Sequence, residues 1–174
     1  MSQSPTFDAF RLARKRDTLR GEATMPQLPR LAQSVLDPKT VVRYEVVGRV
    51  DDQGHPGALM RLSARLRMRC ERCNGPFDFA LEREVPFRFV RNDAELNALP
   101  IEDVEDEAVI GSTAMALLPW IEDEAILSLP LVPRHEDCVF PGERDDEPDE
   151  GGSRRPFAAL AMLKRDRDGG AGGH

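Results

Sequence analysis

The chain is poor in the residues on which most enzyme chemistry is built. Its 174 residues hold three cysteines, three histidines, one tryptophan and one tyrosine. An odd, small cysteine count argues against a disulfide framework and for a reducing, cytoplasmic setting. No stretch approaches the ~18 consecutive apolar residues of a membrane helix. The opening MSQSPTFDAFRLARKRD lacks the basic-then-apolar order of a secretory signal. There is no Gly-rich phosphate loop, nucleophile elbow or His-Glu-x-x-His helix, and His55 and His174 stand without companions. These absences point away from an enzyme and from a small-molecule substrate. Positive charge is also in deficit: 24 basic against 31 acidic residues leave −7. Broad phosphate binding is disfavoured, so an RNA contact would need a local basic patch or a protein partner.

The few sulfurs and imidazoles are not scattered. Cys70-Glu71-Arg72-Cys73 sits at a tight turn, and His135-Glu136-Asp137-Cys138 follows a Pro-punctuated segment. Two residues between ligands let one turn present both sulfurs to a single ion. Together Cys70, Cys73, His135 and Cys138 form a candidate Cys3His site for one structural zinc. The competing reading is that free cysteines are small buried apolar residues. A Cys-x-x-Cys redox pair is a third, poorly supported because such pairs gain reactivity at a helix N-terminus, whereas this one lies on a β-hairpin.

Hydrophobic periodicity predicts an α+β domain: an antiparallel sheet or partial barrel with two to three covering helices and flexible termini. Val42, Tyr44, Val46, Gly48 and Val50 share one parity, and Met60, Leu62, Ala64, Leu66, Met68 and Cys70 alternate with Arg61, Ser63, Arg65, Arg67 and Arg69. A period of two with one polar face marks half-buried antiparallel strands, here near 41–50, 58–70 and 77–90. Helices are expected near 26–36 and 113–128, the second capped by Ser112, with residues 92–111 an acidic loop leading into a short strand at 108–110. Leu62, Leu66, Phe79, Leu81, Val85, Phe87, Leu117 and Ile121 are the expected core.

The arginine stripe Arg61, Arg65, Arg67, Arg69 and Arg72 is the candidate RNA surface, helped by Arg14, Lys15 and Arg16. Centring the hairpin turn between Cys73 and Asn74 sets Arg69 opposite Asp78 and Arg65 opposite Glu82, leaving Arg61, Arg67 and Arg72 unpaired. Partial neutralisation favours a solvated face over an RNA groove. Glu122-Asp123-Glu124 on a helix also reads as a solvated face. The expected organisation is a basic N-terminal arm (1–20), a single α+β domain (21–140), an acidic flexible linker (141–155), a short docking helix (156–165) and a disordered tail (166–174).

Three blocks carry a resemblance. Cys70-Glu-Arg-Cys73-Asn-Gly-Pro76-Phe77 is followed by Trp120-Ile-Glu-Asp-Glu124-Ala-Ile-Leu-Ser-Leu129-Pro130-Leu-Val-Pro133-Arg-His135-Glu-Asp-Cys138, and then by Arg155-Pro156-Phe157-Ala-Ala-Leu160-Ala-Met-Leu163-Lys164. In this order they resemble the YceD family, the large ribosomal RNA subunit accumulation proteins. The resemblance implies a cytoplasmic, non-enzymatic factor in synthesis, processing or stability of 23S ribosomal RNA. Its partners would be ribosomal RNA or a ribosome-assembly protein, with no membrane. Without it, the residues leave a zinc-stabilised protein-interaction domain or, with less support, a thiol-redox protein.

Overall fold

The computed structural model describes residues 5–99, 106–136 and 138. The expected linker, docking helix and tail at 141–174 lie outside the described residues. In chain order the elements are β1 (Thr6–Phe7), α1 (Ala9–Lys15), β2 (Thr18–Thr24), β3 (Val41–Val50), β4 (Pro56–Arg69), β5 (Pro76–Val90), α2 (Asp93–Asn97), β6 (Glu107–Ile110), β7 (Met115–Ala116) and α3 (Leu117–Leu127). The fold is α+β. Five strands form one open sheet in the order β2-β3-β4-β5-β6, antiparallel except where β6 runs parallel to β5, and β1 pairs with β7 separately.

The alternating strands behave as their period demands. Val42, Val46, Met60, Leu62, Leu66, Met68, Leu81, Val85, Phe87 and Phe89 are buried on one face, against Leu117, Leu118, Trp120, Ile121 and Ala125 of α3. Of the expected core, only Phe79 is half-buried, near the distal end of the hairpin. α1 packs on the same sheet through Ala9, Leu12 and Ala13. The approach is so close that a Cβ at Gly48 would lie 2.1 Å from the Leu12 carbonyl oxygen.

Four local expectations are corrected. Residues 26–36 form no α-helix; two short 3-10 turns stand there, Met25–Gln27 and Leu31–Gln33. Pro26 and Pro29 withhold main-chain donors, so the helix-like spacing of Leu28 and Leu31 produces burial without a continuous helix. α3 begins at Leu117 rather than near 113, with Pro119 in its first turn, where its missing N–H costs nothing. Ser112 instead closes a turn by accepting the Ala114 N–H, and Met115–Ala116 are strand. Within the expected loop at 92–111, Asn92 caps a short helix by accepting the Glu95 N–H at 2.9 Å.

The fourth correction is the hairpin register. Arg69 faces Pro76, Arg67 faces Asp78, Arg65 faces Ala80 and Arg61 faces Glu84. The turn is centred one residue earlier than expected because Asn74 takes a left-handed conformation (φ 59°). The Cys70 N–H then donates to the Gly75 carbonyl at 2.8 Å and the Asn74 N–H to the Cys70 carbonyl at 2.9 Å.

Candidate metal centre

The hairpin tip is built to hold sulfur. Its left-handed Asn74 turns the following amide back, so that the Gly75 N–H lies 3.4 Å from Cys73 Sγ. On the other side of the site, the chain leaves α3 through Pro130 and Pro133 without regular structure and bends at Leu131 and Val132. The Glu71 N–H donates to the Pro133 carbonyl at 2.9 Å, tying that segment to the tip. His135 and Cys138 are thereby delivered to the cysteine pair.

The four residues meet. Cys70 Sγ lies 3.4 Å from Cys138 Sγ, and Cys73 Sγ lies 3.3 Å from His135 Nε2. One ligand atom from each of Cys70, Cys73, His135 and Cys138 falls within 4.8 Å of every other. A tetrahedron with Zn–S bonds of ~2.3 Å and a Zn–N bond of ~2.0–2.1 Å has ligand edges of roughly 3.5–3.8 Å, so the donors stand close to the separations one ion would impose. Cys70 and Cys138 are buried, while Cys73 and His135 are partly exposed. Phe77 meets the His135 ring edge-on at 6.1 Å and shields one side.

The electrostatics suit a metal thiolate. Burial alone would raise the Cys70 thiol, but the main-chain N–H groups of Cys73, Arg72 and His135 and the Cys138 thiol together hold it down at about 6. Cys138 moves the other way: burial and the neighbouring Cys70 and Cys73 sulfurs raise it. A cation among the three sulfurs would remove that repulsion. Donor identity, spacing and N–H support all fit a closed, structural Cys3His zinc site rather than a catalytic one with an open position.

The arginine stripe has a different character. All five of Arg61, Arg65, Arg67, Arg69 and Arg72 are exposed. Arg61, however, pairs with both Glu45 and Glu84, and Glu45 also pairs with Arg20, so one ion-pair row crosses β2 to β5. The hydrogen bonds from Arg61 and Arg20 pull the Glu45 carboxyl below its usual range. Arg67 approaches Asp78 at 3.9 Å, and Arg69 donates to the Asn74 carbonyl at 3.2 Å. Arg61 and Arg67 are thus paired, contrary to expectation, because the register differs from the assumed one.

Glu122-Asp123-Glu124 is not a solvated face. Glu122 and Glu124 are buried, and only Asp123 is exposed. Glu122 accepts the Arg30 N–H at 2.7 Å, the Leu31 N–H at 3.1 Å and Arg30 Nε at 3.0 Å, capping the 3-10 turn at Leu31. Glu124 Oε2 has no hydrogen-bond partner among the described residues. Its carboxyl is pushed up to about 7, by burial first and then by the nearby Glu107. No periodic signal marks these two acids; α3 is simply enclosed over a wider arc than its apolar stripe.

The family model for "Large ribosomal RNA subunit accumulation protein YceD" matches residues 59–164. The chain is also 31% identical, over 172 residues, to the large ribosomal RNA subunit accumulation protein YceD of Haemophilus influenzae; the match covers 92% of this chain and 95% of that relative. No solved structure matches the chain.

Proposed function

The chain belongs to the YceD family of large ribosomal RNA subunit accumulation proteins, and from that membership we propose that it is a non-enzymatic accessory factor in synthesis, processing or stability of 23S ribosomal RNA. The full-length similarity to a protein named for that role carries the reading. The family name describes accumulation of an RNA rather than a reaction, and the cysteine pair sits on a hairpin tip rather than a helix N-terminus, which gives no support to thiol-redox catalysis. The reducing cytoplasm suits three free thiols. No helix among the described residues is long and apolar enough to cross a membrane.

Cys70, Cys73, His135 and Cys138 would hold one structural zinc. Bound there, the ion would clasp the β4–β5 tip to the segment after α3, converting metal affinity into folding free energy. The chain supplies the N–H donors that keep Cys70 ready as a thiolate and the Glu71–Pro133 bond that aligns the two halves. Beside the clasp, Leu131 and Val132 are 102% and 53% exposed, which supports a contact with a ribosome-assembly protein. Of the stripe, Arg61 is the least suited to contact with RNA, since its guanidinium is shared by two carboxylates.

The test is a strain lacking this protein. Its 23S-to-16S ribosomal RNA ratio should fall and free large-subunit particles should diminish on sedimentation, with rescue by the wild type and poor rescue by Cys70→Ser/Cys73→Ser. An unchanged ratio and profile would overturn the ribosomal reading.

A further inference from the structure

At the end of the sheet opposite the cysteine clasp, two hollows of about 310 and 420 Å³ adjoin, both lined by Phe10, Gly54, Pro56 and Arg91. Each lies within the ~300–1,000 Å³ range of small-ligand sites. β4 separates them from the clasp by its 14 residues, roughly 45 Å of strand. The walls concentrate cations on a chain that is acidic overall. Arg14 lines the second hollow and Arg91 lines both, while Arg88 in the first is engaged by Asp51 and the His55 ring.

The acids nearby are already engaged. Asp8 lines the second hollow, and its Oδ1 accepts the Arg11 N–H at 2.8 Å as the cap of α1. Asp51 accepts the main-chain N–H groups of Gln53 and His55 and pairs with the His55 ring at 2.8 Å. Glu95 lines the first hollow; it accepts the Arg91 N–H at 2.6 Å and reaches one guanidinium nitrogen of Arg91 at 3.3 Å. Arg91 remains 78% exposed, and Arg14 has no ion-pair partner among the described residues. Phe10, half-buried and held edge-on against Phe89 at 6.4 Å, lines both hollows, sharing the second with Arg14 and Arg91. An aromatic ring and guanidinium groups lining one hollow is the chemistry that takes a base by stacking and its phosphate by charge-assisted hydrogen bonds.

We propose that this end of the sheet binds a nucleoside phosphate, offered by single-stranded RNA or as a free nucleotide, with the base on Phe10 and the phosphate on Arg14 and Arg91. The site deepens the ribosomal reading and rests on it for its RNA source. It also adds an RNA contact at the opposite end of the sheet from the hairpin tip. Double-stranded RNA is a poor occupant, because its bases are stacked on one another and unavailable to a ring.

The experiment uses the full chain and a fluorescently labelled single-stranded RNA hexamer in an anisotropy titration at two salt concentrations. Phe10→Leu, which keeps apolar bulk against Phe89 but removes the flat ring, should weaken binding about tenfold. Arg14→Glu and Arg91→Glu should each weaken it by a similar factor and flatten its salt dependence. Arg43→Glu, the same charge change on the sheet face, should alter it less than twofold. Competition by a nucleoside monophosphate at low concentration would identify the free nucleotide as the source; competition by oligonucleotide alone would identify RNA. Equal binding by wild type, Phe10→Leu and Arg14→Glu would overturn the site, as would equal loss in Arg43→Glu. If these variants bind RNA normally and restore 23S ribosomal RNA in the deletion strain, the site fails and the ribosomal role stands. If the deletion strain has no ribosomal RNA defect, the role fails, and the binding data still decide the site.

Discussion

Cys73 Sγ stands 3.3 Å from His135 Nε2, although 62 positions separate them in the chain. A cysteine and a histidine so placed, with two further thiols within 4.8 Å, form a clasp whose strength depends on what fills it. Purified protein should therefore carry one zinc per chain. A chelator should lower its melting temperature by on the order of 10 °C, the shift for several kcal/mol of linked binding in a chain this size. The Cys70→Ser/Cys73→Ser variant should melt lower from the start and ignore the chelator. Scanning calorimetry with and without chelator decides; an unchanged wild-type transition would leave the cysteines as packed thiols.

Glu124 predicts an inverted pH response. Its folded pKa, about 7, lies above that of an unfolded glutamate, so the folded chain holds the extra proton. Stability contributed by this group is complete below the unfolded value of about 4.5 and is lost as pH rises toward 7. The full loss is at most about 3 kcal/mol, at roughly 1.4 kcal/mol per unit. Glu124→Gln should raise stability at pH 8, leave it nearly unchanged at pH 4.5, and flatten the curve between. Urea denaturation at the two pH values measures this; an equal effect at both would refute it.

Glu122 and Asp123 are neighbours with opposite expected costs. Glu122→Ala would orphan the buried Leu31 N–H and release Arg30, costing roughly 2–4 kcal/mol. Asp123 meets Arg30 at 2.6 Å in the open, with both side chains about half exposed, and Asp123→Ala should cost under ~1 kcal/mol. Equilibrium unfolding of the two variants side by side tests the assignment. A Glu122→Ala as mild as Asp123→Ala would remove the capping role.

Gly48→Ala should be unusually costly for a one-carbon change. The new methyl would fall on the Leu12 carbonyl, so α1 must lift from the sheet or the strand must bow. Overpacking of this kind costs about 1–3 kcal/mol. Limited proteolysis should cut first around residues 8–17 in the variant. Wild-type resistance there would show that α1 accommodates the methyl.

The three long strands, the buried identity of Leu66 and Ile121, and the joining of Cys70, Cys73, His135 and Cys138 were legible in the sequence. Each rests on a short-range rule: a period of two, a period near 3.6, and a two-residue ligand spacing that needs a turn to express it. The rest was decided by tertiary structure. β2 has one buried side chain, Ala23, and no hydrophobic signal of its own; it is a strand because β3 offers an edge to pair with. The 3-10 turn at Leu31–Gln33 is held by Glu122, some 90 residues away, which accepts the Arg30 and Leu31 N–H groups. The hairpin register turned on one left-handed residue, Asn74, and a change of one position in the turn centre exchanged every cross-strand charge partner. Local pattern determines which face of an element is apolar. Which polar groups are enclosed with that face depends on distant chain, and no local period records it.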